Sequence, residues 1–250
     1  MKTSFPIYLS NSILIALLVV SAQAKDSNSA IITYSNFPLE TAKAVNEGDL
    51  RILHRDDFAT DTLHTVWGCS NPKTVIEDGR LKLHSNGGSS GKLKVAVEPF
   101  IDAELSFRFR LTTTKGFGFG FDDLTAKDIS HGGHLIGFSF NNDRILVKDT
   151  LTGIYNMSHY QEYKDKKITP ELKALFERCE KEIPYTFTPN QWYAARIRIQ
   201  GDRLELYIDD RKLIEFRSPG ISHPRKDMYR FNVAKGDMEF DDVTLVSYLK

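Results

Sequence analysis

Strict alternation is the feature that most limits what this chain can fold into. In IDAELSFRFRLT, the apolar residues Ile101, Ala103, Leu105, Phe107, Phe109 and Leu111 take every second position, with Asp102, Glu104, Ser106, Arg108 and Arg110 between them. Side chains of an extended chain point alternately to its two faces, so this spacing predicts an antiparallel strand with one dry side and one wet side. ARIRIQ (195–200), RLELYID (203–209) and EFDDVTLV (239–246, a terminal strand) repeat the pattern. Turn signals separate the runs. Asp78-Gly79 lies between VIE and RLKL, Gly201-Asp202 between ARIRIQ and RLELYID, and Asp209 to Lys212 returns the chain into LIEF. Asn141, Asn142, Asp143 and Arg144 read as one more turn between strands. Many short strands at close spacing predict an all-β sandwich or barrel rather than a parallel α/β sheet.

The stretch GFGFGFDD, Gly116 to Asp123, narrows the picture. Its G-x-G-x-G spacing is not the G-x-G-x-x-G of a dinucleotide loop, and no strand–turn–helix unit surrounds it. Read as a strand, it sends Phe117, Phe119 and Phe121 into the core and leaves Gly116, Gly118 and Gly120 as a trough without side chains. Either a crossing segment packs against that trough or a ligand lies in it.

One segment departs from alternation. Thr169-Pro170 opens a helix with a capping oxygen and a proline at the first helical position, and ELKALFERCEKE follows as far as Pro184. Leu172, Leu175, Phe176 and Cys179 share one face, so a helical insert over about 168–184 is expected to pack on the sandwich.

The N-terminus carries an export signature: Lys2, an apolar core from Ile13 to Val20, and the small-x-small pattern of Ala22-Gln23-Ala24. That core is far short of the roughly 20 residues a membrane span needs. The expected organisation is a signal over 1–24, a linker or leading arm over 25–49 with a short strand at Ile31 to Tyr34, and one sandwich domain over 50–250. The protein is then exported, to a periplasmic, extracellular or cell-surface location, with no membrane partner after cleavage. A formal charge of zero gives no reason to expect a nucleic acid partner, which rewards a basic surface. The two cysteines, Cys69 and Cys179, match no metal or redox spacing. In an exported chain they form either one disulfide, worth on the order of 4 kcal/mol for so long a loop, or two buried thiols.

The order of features carries a resemblance. DDF (Asp56 to Phe58) precedes Trp67 and the hairpin EDGRLKL; AELSFRFRL precedes the Gly/Phe strand; QWYAARIRIQGDRLELYIDDRKL leads into FDDVTLV. From Asp56 to Val246, outside the helical insert, the chain resembles secreted concanavalin A-like (laminin G-like) jelly rolls, and most of all the family named after 3-keto-disaccharide hydrolase. That resemblance implies two antiparallel sheets and a concave face that handles carbohydrate. Family-16 glucanases of this fold use a Glu-x-Asp-x-x-Glu strand. The nearest match here, Glu239 to Thr244, ends in threonine and lies at the C-terminus rather than mid-sheet, so their double displacement between two carboxylates is not expected.

Candidate residues fall into three groups. Asp122, His131 and His134, with Asp149 further on, are acid/base candidates. Gly116, Gly118, Gly120, Arg144 and Tyr155 are ligand-binding candidates, and Tyr160, Tyr163 and Trp192 could extend an aromatic platform for sugar, although Trp192 reads better as a structural anchor. The pairs Asp56/Asp57 and Asp241/Asp242 sit on first and last strands that neighbour each other in jelly rolls, where a structural Ca²⁺ or nearby arginines would offset their repulsion. The expected partner is a glycan or polysaccharide. Three roles follow: a glycan-binding module, which is slightly favoured; a glycan-processing hydrolase acting on keto- or otherwise modified saccharides; or a structural cell-surface protein. A strongly shifted histidine or a buried carboxylate in the groove would favour the enzyme, and a flat aromatic strip the binding module.

Overall fold

The computed structural model describes residues 30–31, 40–71, 73–85 and 91–248. The expected signal and most of the strand expected at Ile31 to Tyr34 lie outside them. In chain order the strands are β1 (Ala30–Ile31), β2 (Thr41–Ala42), β3 (Val45–Glu47), β4 (Leu50–Asp56), β5 (Trp67–Cys69), β6 (Thr74–Glu77), β7 (Arg80–Leu83), β8 (Gly91–Phe100) and β9 (Ala103–Leu111). Then come β10 (Gly116–Asp122), β11 (His134–Asn141) and β12 (Arg144–Asp149), two helices, α1 (Tyr160–Lys164) and α2 (Pro170–Arg178), and β13 (Glu180–Pro184). β14 (Trp192–Gln200), β15 (Arg203–Ile208), β16 (Arg211–Arg217), a 3₁₀ turn (Pro219–Ser222), β17 (Lys226–Val233) and β18 (Met238–Tyr248) complete the chain.

Two sheets result. The first runs β1-β6-β7-β18-β9-β14-β15-β16, with β4 also on β18 and β3 on β4; the second runs β13-β12-β11-β10-β17-β8-β2, with β5 also on β8. All pairings are antiparallel except that of β2 with β8. This is a β-sandwich, one of the two architectures that the alternation implied, and the jelly roll that the resemblance implied. The leading arm is no free linker: β1, β2 and β3 are woven into the sheets.

Phenylalanine joins the layers. Phe107 and Phe109 of β9 meet Phe231 and Phe117 of the other sheet at ring-centroid distances of 5.1 and 5.0 Å, and Phe117 stacks on Phe140 at 4.8 Å. Each ring is essentially fully buried, worth about 1.5–3 kcal/mol in area removed from water. The hairpin reading holds at Asp78-Gly79, where φ is +54° and +66°, as a tight two-residue turn requires.

Two local readings change. The helix begins as expected, with the Thr169 side chain accepting from the Leu172 amide, but it ends at Arg178. Glu180 to Pro184 instead forms β13 on the edge of the second sheet, because Glu180 and Glu182 find Lys148 and Arg144 across the ladder at 2.7 and 3.6 Å. β18, chemically terminal, is spatially central, hydrogen-bonded to β9 on one side and to β7 and β4 on the other. Among the described residues no helix is long and apolar enough to cross a membrane.

Candidate functional site

The outer face of the second sheet is where the sequence removes side chains. Gly118 of β10 lies between Ser139 of β11 and Asn232 of β17, and Gly120 between Gly137 and Arg230. β8 extends the same rows with Lys92 and Lys94. The result is a glycine-floored strip with cations along one side.

The glycines are not equivalent. A methyl group at Gly118 would meet nothing nearer than the Phe138 carbonyl at 3.5 Å, and at Gly137 nothing nearer than Thr150 at 3.8 Å, so these two form open floor. A methyl at Gly120 would stand 2.7 Å from both the Ile136 carbonyl and the Arg230 guanidinium, so Gly120 lets the arginine lie across the sheet. Gly116 packs against the Phe140–Asn141 backbone and is not floor. The trough thus has both uses, close packing at its ends and open space in the middle.

Asp122 ends β10 with its side chain fully buried. Arg230 donates to its Oδ1, and His134 Nδ1 lies 2.9 Å from the same oxygen. A buried carboxylate beside a buried guanidinium is tolerable where either alone would not be. Asp122 Oδ2 and Arg230 Nε have no hydrogen-bond partner among the described residues. Burial, reinforced by the positive charges of Lys94 and Lys92, pushes His134 down to about 4. At neutral pH its imidazole is therefore uncharged. With the Nδ1 proton directed at Asp122, the lone pair is on Nε2, where it can accept a proton. Burial lowers Arg230 only to about 10, so it keeps its charge.

A second group of rings stands beside this site. His131 stacks on Tyr155 at 4.4 Å with planes 10° apart, Tyr160 meets His131 edge-on at 5.3 Å, and Tyr155 lies 6.2 Å from His134. The loop that carries His131 closes through the Asp123 amide on the Gly133 carbonyl at 3.0 Å. Gly133 has φ +85°, and a methyl there would fall 1.8 Å from the Asp123 carbonyl, so only glycine closes it. The Ser130 amide donates to the Tyr155 carbonyl at 2.8 Å and ties the loop to the ring it stacks on.

Other expected residues lie elsewhere. Asp149 is opposite Ile136, whose side chain enters the core, so it faces away from the strip. Its carboxylate there accepts from the Ser218 hydroxyl and from the amides of Gly220 and Thr152, a structural role. Arg144 is exposed at the far end of β12 and pairs with Glu182. Trp192 lies on the first sheet, with Arg108 and Arg110 each 5.1 Å from its ring, and takes no part in the platform. β4 and β18 are neighbours as expected, but the acidic pairs do not converge. Asp56 turns inward to accept from Trp67 Nε1 at 2.8 Å and the Phe58 amide at 2.9 Å. Asp57 caps the Ala59 amide, while Asp241 and Asp242 face Arg108 at 3.3 and 3.4 Å. Protein donors thus compensate these carboxylates, and among the described residues no three His, Cys, Asp or Glu side chains converge on a metal position. Cys69 and Cys179 are separate buried thiols, not a disulfide.

Three residues of the strip, Lys92, Lys94 and Arg230, were not among the sequence candidates. KLKVAV and YRFNV do alternate, so each lysine and the arginine could be assigned to an outward face. What the sequence hides is that β17 lies beside β10, and β8 beside β17. A cleft of about 450 Å³ lies apart from the strip, between β2–β4 and the His64–Val66 segment. Its His54 is committed to the Tyr229 hydroxyl at 2.7 Å.

Comparison with known proteins agrees with this architecture. Residues 54–246 match the family described as 3-keto-alpha-glucoside-1,2-lyase-like domain. Among solved structures the chain is similar to SCLam, a non-specific endo-beta-1,3(4)-glucanase from family GH16, with a TM-score of 0.56 and 13% identity over 85% of this chain and 97% of that one. An endo-beta-1,3-glucanase from Pyrococcus furiosus gives a TM-score of 0.55 and 12% identity over 83% and 98%. A sialidase gives 0.50 and 9% over 72% of this chain, which spans only 17% of the sialidase's length. At such identities the likeness concerns the fold. No curated protein matches by sequence.

Proposed function

Since the chain belongs to the 3-keto-alpha-glucoside-1,2-lyase-like family, and is thus a carbohydrate-related jelly-roll domain, we propose that it is an exported enzyme that eliminates across C1–C2 of a saccharide bearing a carbonyl at C3. One observation carries this reading: a neutral His134, held by buried Asp122 and Arg230, at the end of a strip with no side chains on its floor. The C3 carbonyl acidifies the C2 proton. His134 Nε2 takes that proton, and the electron pair left behind forms first the enolate and then the C1=C2 bond. The C1–O bond breaks, and the leaving oxygen departs with a proton. Asp122 fixes the imidazole tautomer, and the fixed charge of Arg230 beside it favours the enolate over the neutral ketone. The His131–Tyr155 stack offers an aromatic face to the sugar ring.

That stack also favours the second reading, a glycan-binding module without turnover. Methyl 3-keto-α-glucoside separates the two. The enzyme reading expects release of methanol and formation of a conjugated enone, with a loss of about 10²–10⁴ in His134→Gln. Binding of the same sugar with no release would instead support the module. Export is tested separately, by whether the secreted protein begins after Ala24.

A further inference from the structure

Elimination needs a proton donor as well as a base. As the C1–O bond breaks, its electron pair stays on the leaving oxygen, and an alkoxide departs slowly unless it is protonated on the way. The buried neighbours of His134 do not supply that proton, because Asp122 is an acceptor and Arg230 is committed to it. The atoms that lose and gain a proton, C2 and the oxygen on C1, are joined through C1. Base and donor must therefore stand close together.

Tyr155 meets this condition, with its ring centroid 6.2 Å from that of His134. One residue ties the two together: the Thr150 hydroxyl donates to the His134 carbonyl at 2.7 Å, and the Thr150 carbonyl accepts from the Tyr155 amide at 3.0 Å. Thr150 is itself buried, which shelters the tie from water. A strained loop fixes the Tyr155 ring. His131 has φ +58°, a left-handed conformation that residues with a side chain rarely adopt, and Gly132 and Gly133 follow at +66° and +85°. Loop closure at Gly133 and the pairing of Ile129 with Asn156 hold the segment there. What the strain achieves is the 4.4 Å stack of His131 on Tyr155. Stacking occupies a face of the phenol and not the edge that carries its hydroxyl. The protonation states also match. Burial, and then Tyr163 and Tyr160, hold the Tyr155 hydroxyl above its ordinary range. Near neutral pH it is therefore a proton donor while His134, held at about 4, is a neutral acceptor.

We propose that Tyr155 is the proton donor to the leaving oxygen and that His131 positions it. The assignment rests on the lyase reading of this site and completes its proton balance. His134 Nε2 takes the C2 proton, and the C2–H electron pair becomes the C1=C2 bond by way of the enolate. The C1–O pair stays on the leaving oxygen, which takes the Tyr155 proton. Imidazolium and phenolate are then neighbours, and proton transfer from the first to the second restores both. In net, one proton has passed from C2 to the departing alcohol.

The test varies the leaving group. The protein is given methyl and para-nitrophenyl 3-keto-α-glucoside, and release is measured above the uncatalysed background. Methoxide needs the proton, whereas nitrophenolate is a stable anion that departs without it. Tyr155→Phe keeps the stacked ring and removes only the hydroxyl. It is expected to slow methanol release by about 10²–10⁴-fold and nitrophenolate release by less than about ten-fold. Loss of the C2–H signal in D₂O slows far less than methanol release. His131→Gly suits the left-handed backbone and is expected to show the same split between leaving groups, with a smaller loss. Equal losses for the two glycosides in Tyr155→Phe would overturn the donor, as would methanol release at the wild-type rate, which would mean that His134 returns the proton itself. A larger split in His131→Gly than in Tyr155→Phe would move the donor to the imidazole and overturn the assignment to Tyr155. Failure of the lyase reading looks different: wild-type protein then releases neither alcohol and exchanges no C2–H, and the donor falls with it.

Discussion

Gly118 and Gly120 are two residues apart on the same face of one strand, yet they are expected to respond to the same substitution in different ways. At Gly120 an alanine methyl would sit 2.7 Å from the Ile136 carbonyl, a backbone atom that cannot rotate away, and 2.7 Å from the Arg230 guanidinium. Overpacking of this kind costs about 1–3 kcal/mol. Displacing Arg230 would add to it, since it leaves the Asp122 carboxylate buried without its partner. At about 2–4 °C per kcal/mol for a chain of this size, Gly120→Ala should lower the melting temperature by roughly 2–12 °C. At Gly118 the nearest atoms stand at 3.5–3.8 Å, ordinary contact, and the backbone φ is not left-handed. Gly118→Ala should change stability by less than about 1 kcal/mol, with any gain coming from the less flexible unfolded chain. Differential scanning calorimetry of the two variants decides the matter. Equal melting temperatures would refute the claim that Gly120 exists to admit Arg230 and that Gly118 is open floor.

Further predictions follow from the same geometry. His54 and His134 are both held at about 4, against 6.5 for an unperturbed histidine, so the unfolded chain binds protons that the folded one refuses. Stability is therefore full above about pH 6.5 and falls towards pH 4. His54→Gln should remove about 2–3 kcal/mol of the difference between urea denaturation at pH 7 and at pH 4.5; an undiminished difference would count against a neutral buried His54. The two thiols are free, and burial raises both above the ordinary cysteine range. A thiol reagent should label neither in the native protein and both in denaturant without reductant, whereas a disulfide would leave both unlabelled. Asp56→Ala strands the Trp67 and Phe58 N–H donors in the interior and should cost about 2–4 kcal/mol, measured by chemical denaturation; a neutral result would mean those bonds carry nothing.

Much of the sandwich was legible because alternation is local. Ala103 to Leu111 forms the strand with wet and dry faces that the alternation predicts, although Ile101, read as part of its dry face, is exposed in the bend before it; Asp78-Gly79 dictates a turn from two residues. Glu180 to Pro184 was misread because ELKALFERCEKE has helical spacing throughout, and only the cross-strand partners Lys148 and Arg144 draw its end into a ladder. Within the site, Asp122 and His134 stand among the acid/base candidates read from the sequence, with His131 and Asp149, but nothing there pairs the two. Arg230 was not among the candidates, since the register that sets it opposite Gly120 joins residues over a hundred positions apart. Asp149 shows the reverse error: an acid close in sequence to the site faces the other side of the sheet, because strand parity relative to Ile136 decides its direction.

The central claim is that His134 is the base acting at C2 of a 3-keto glucoside, and proton NMR in D₂O tests it most directly. The C2–H signal of methyl 3-keto-α-glucoside is followed with wild-type protein and with His134→Gln across pH 3–8. The account predicts loss of the C2–H signal with wild type, at a rate that rises through an inflection near the His134 value of about 4 and is level above it, and near-complete retention of the signal with His134→Gln. Loss of C2–H at the wild-type rate in His134→Gln would contradict it.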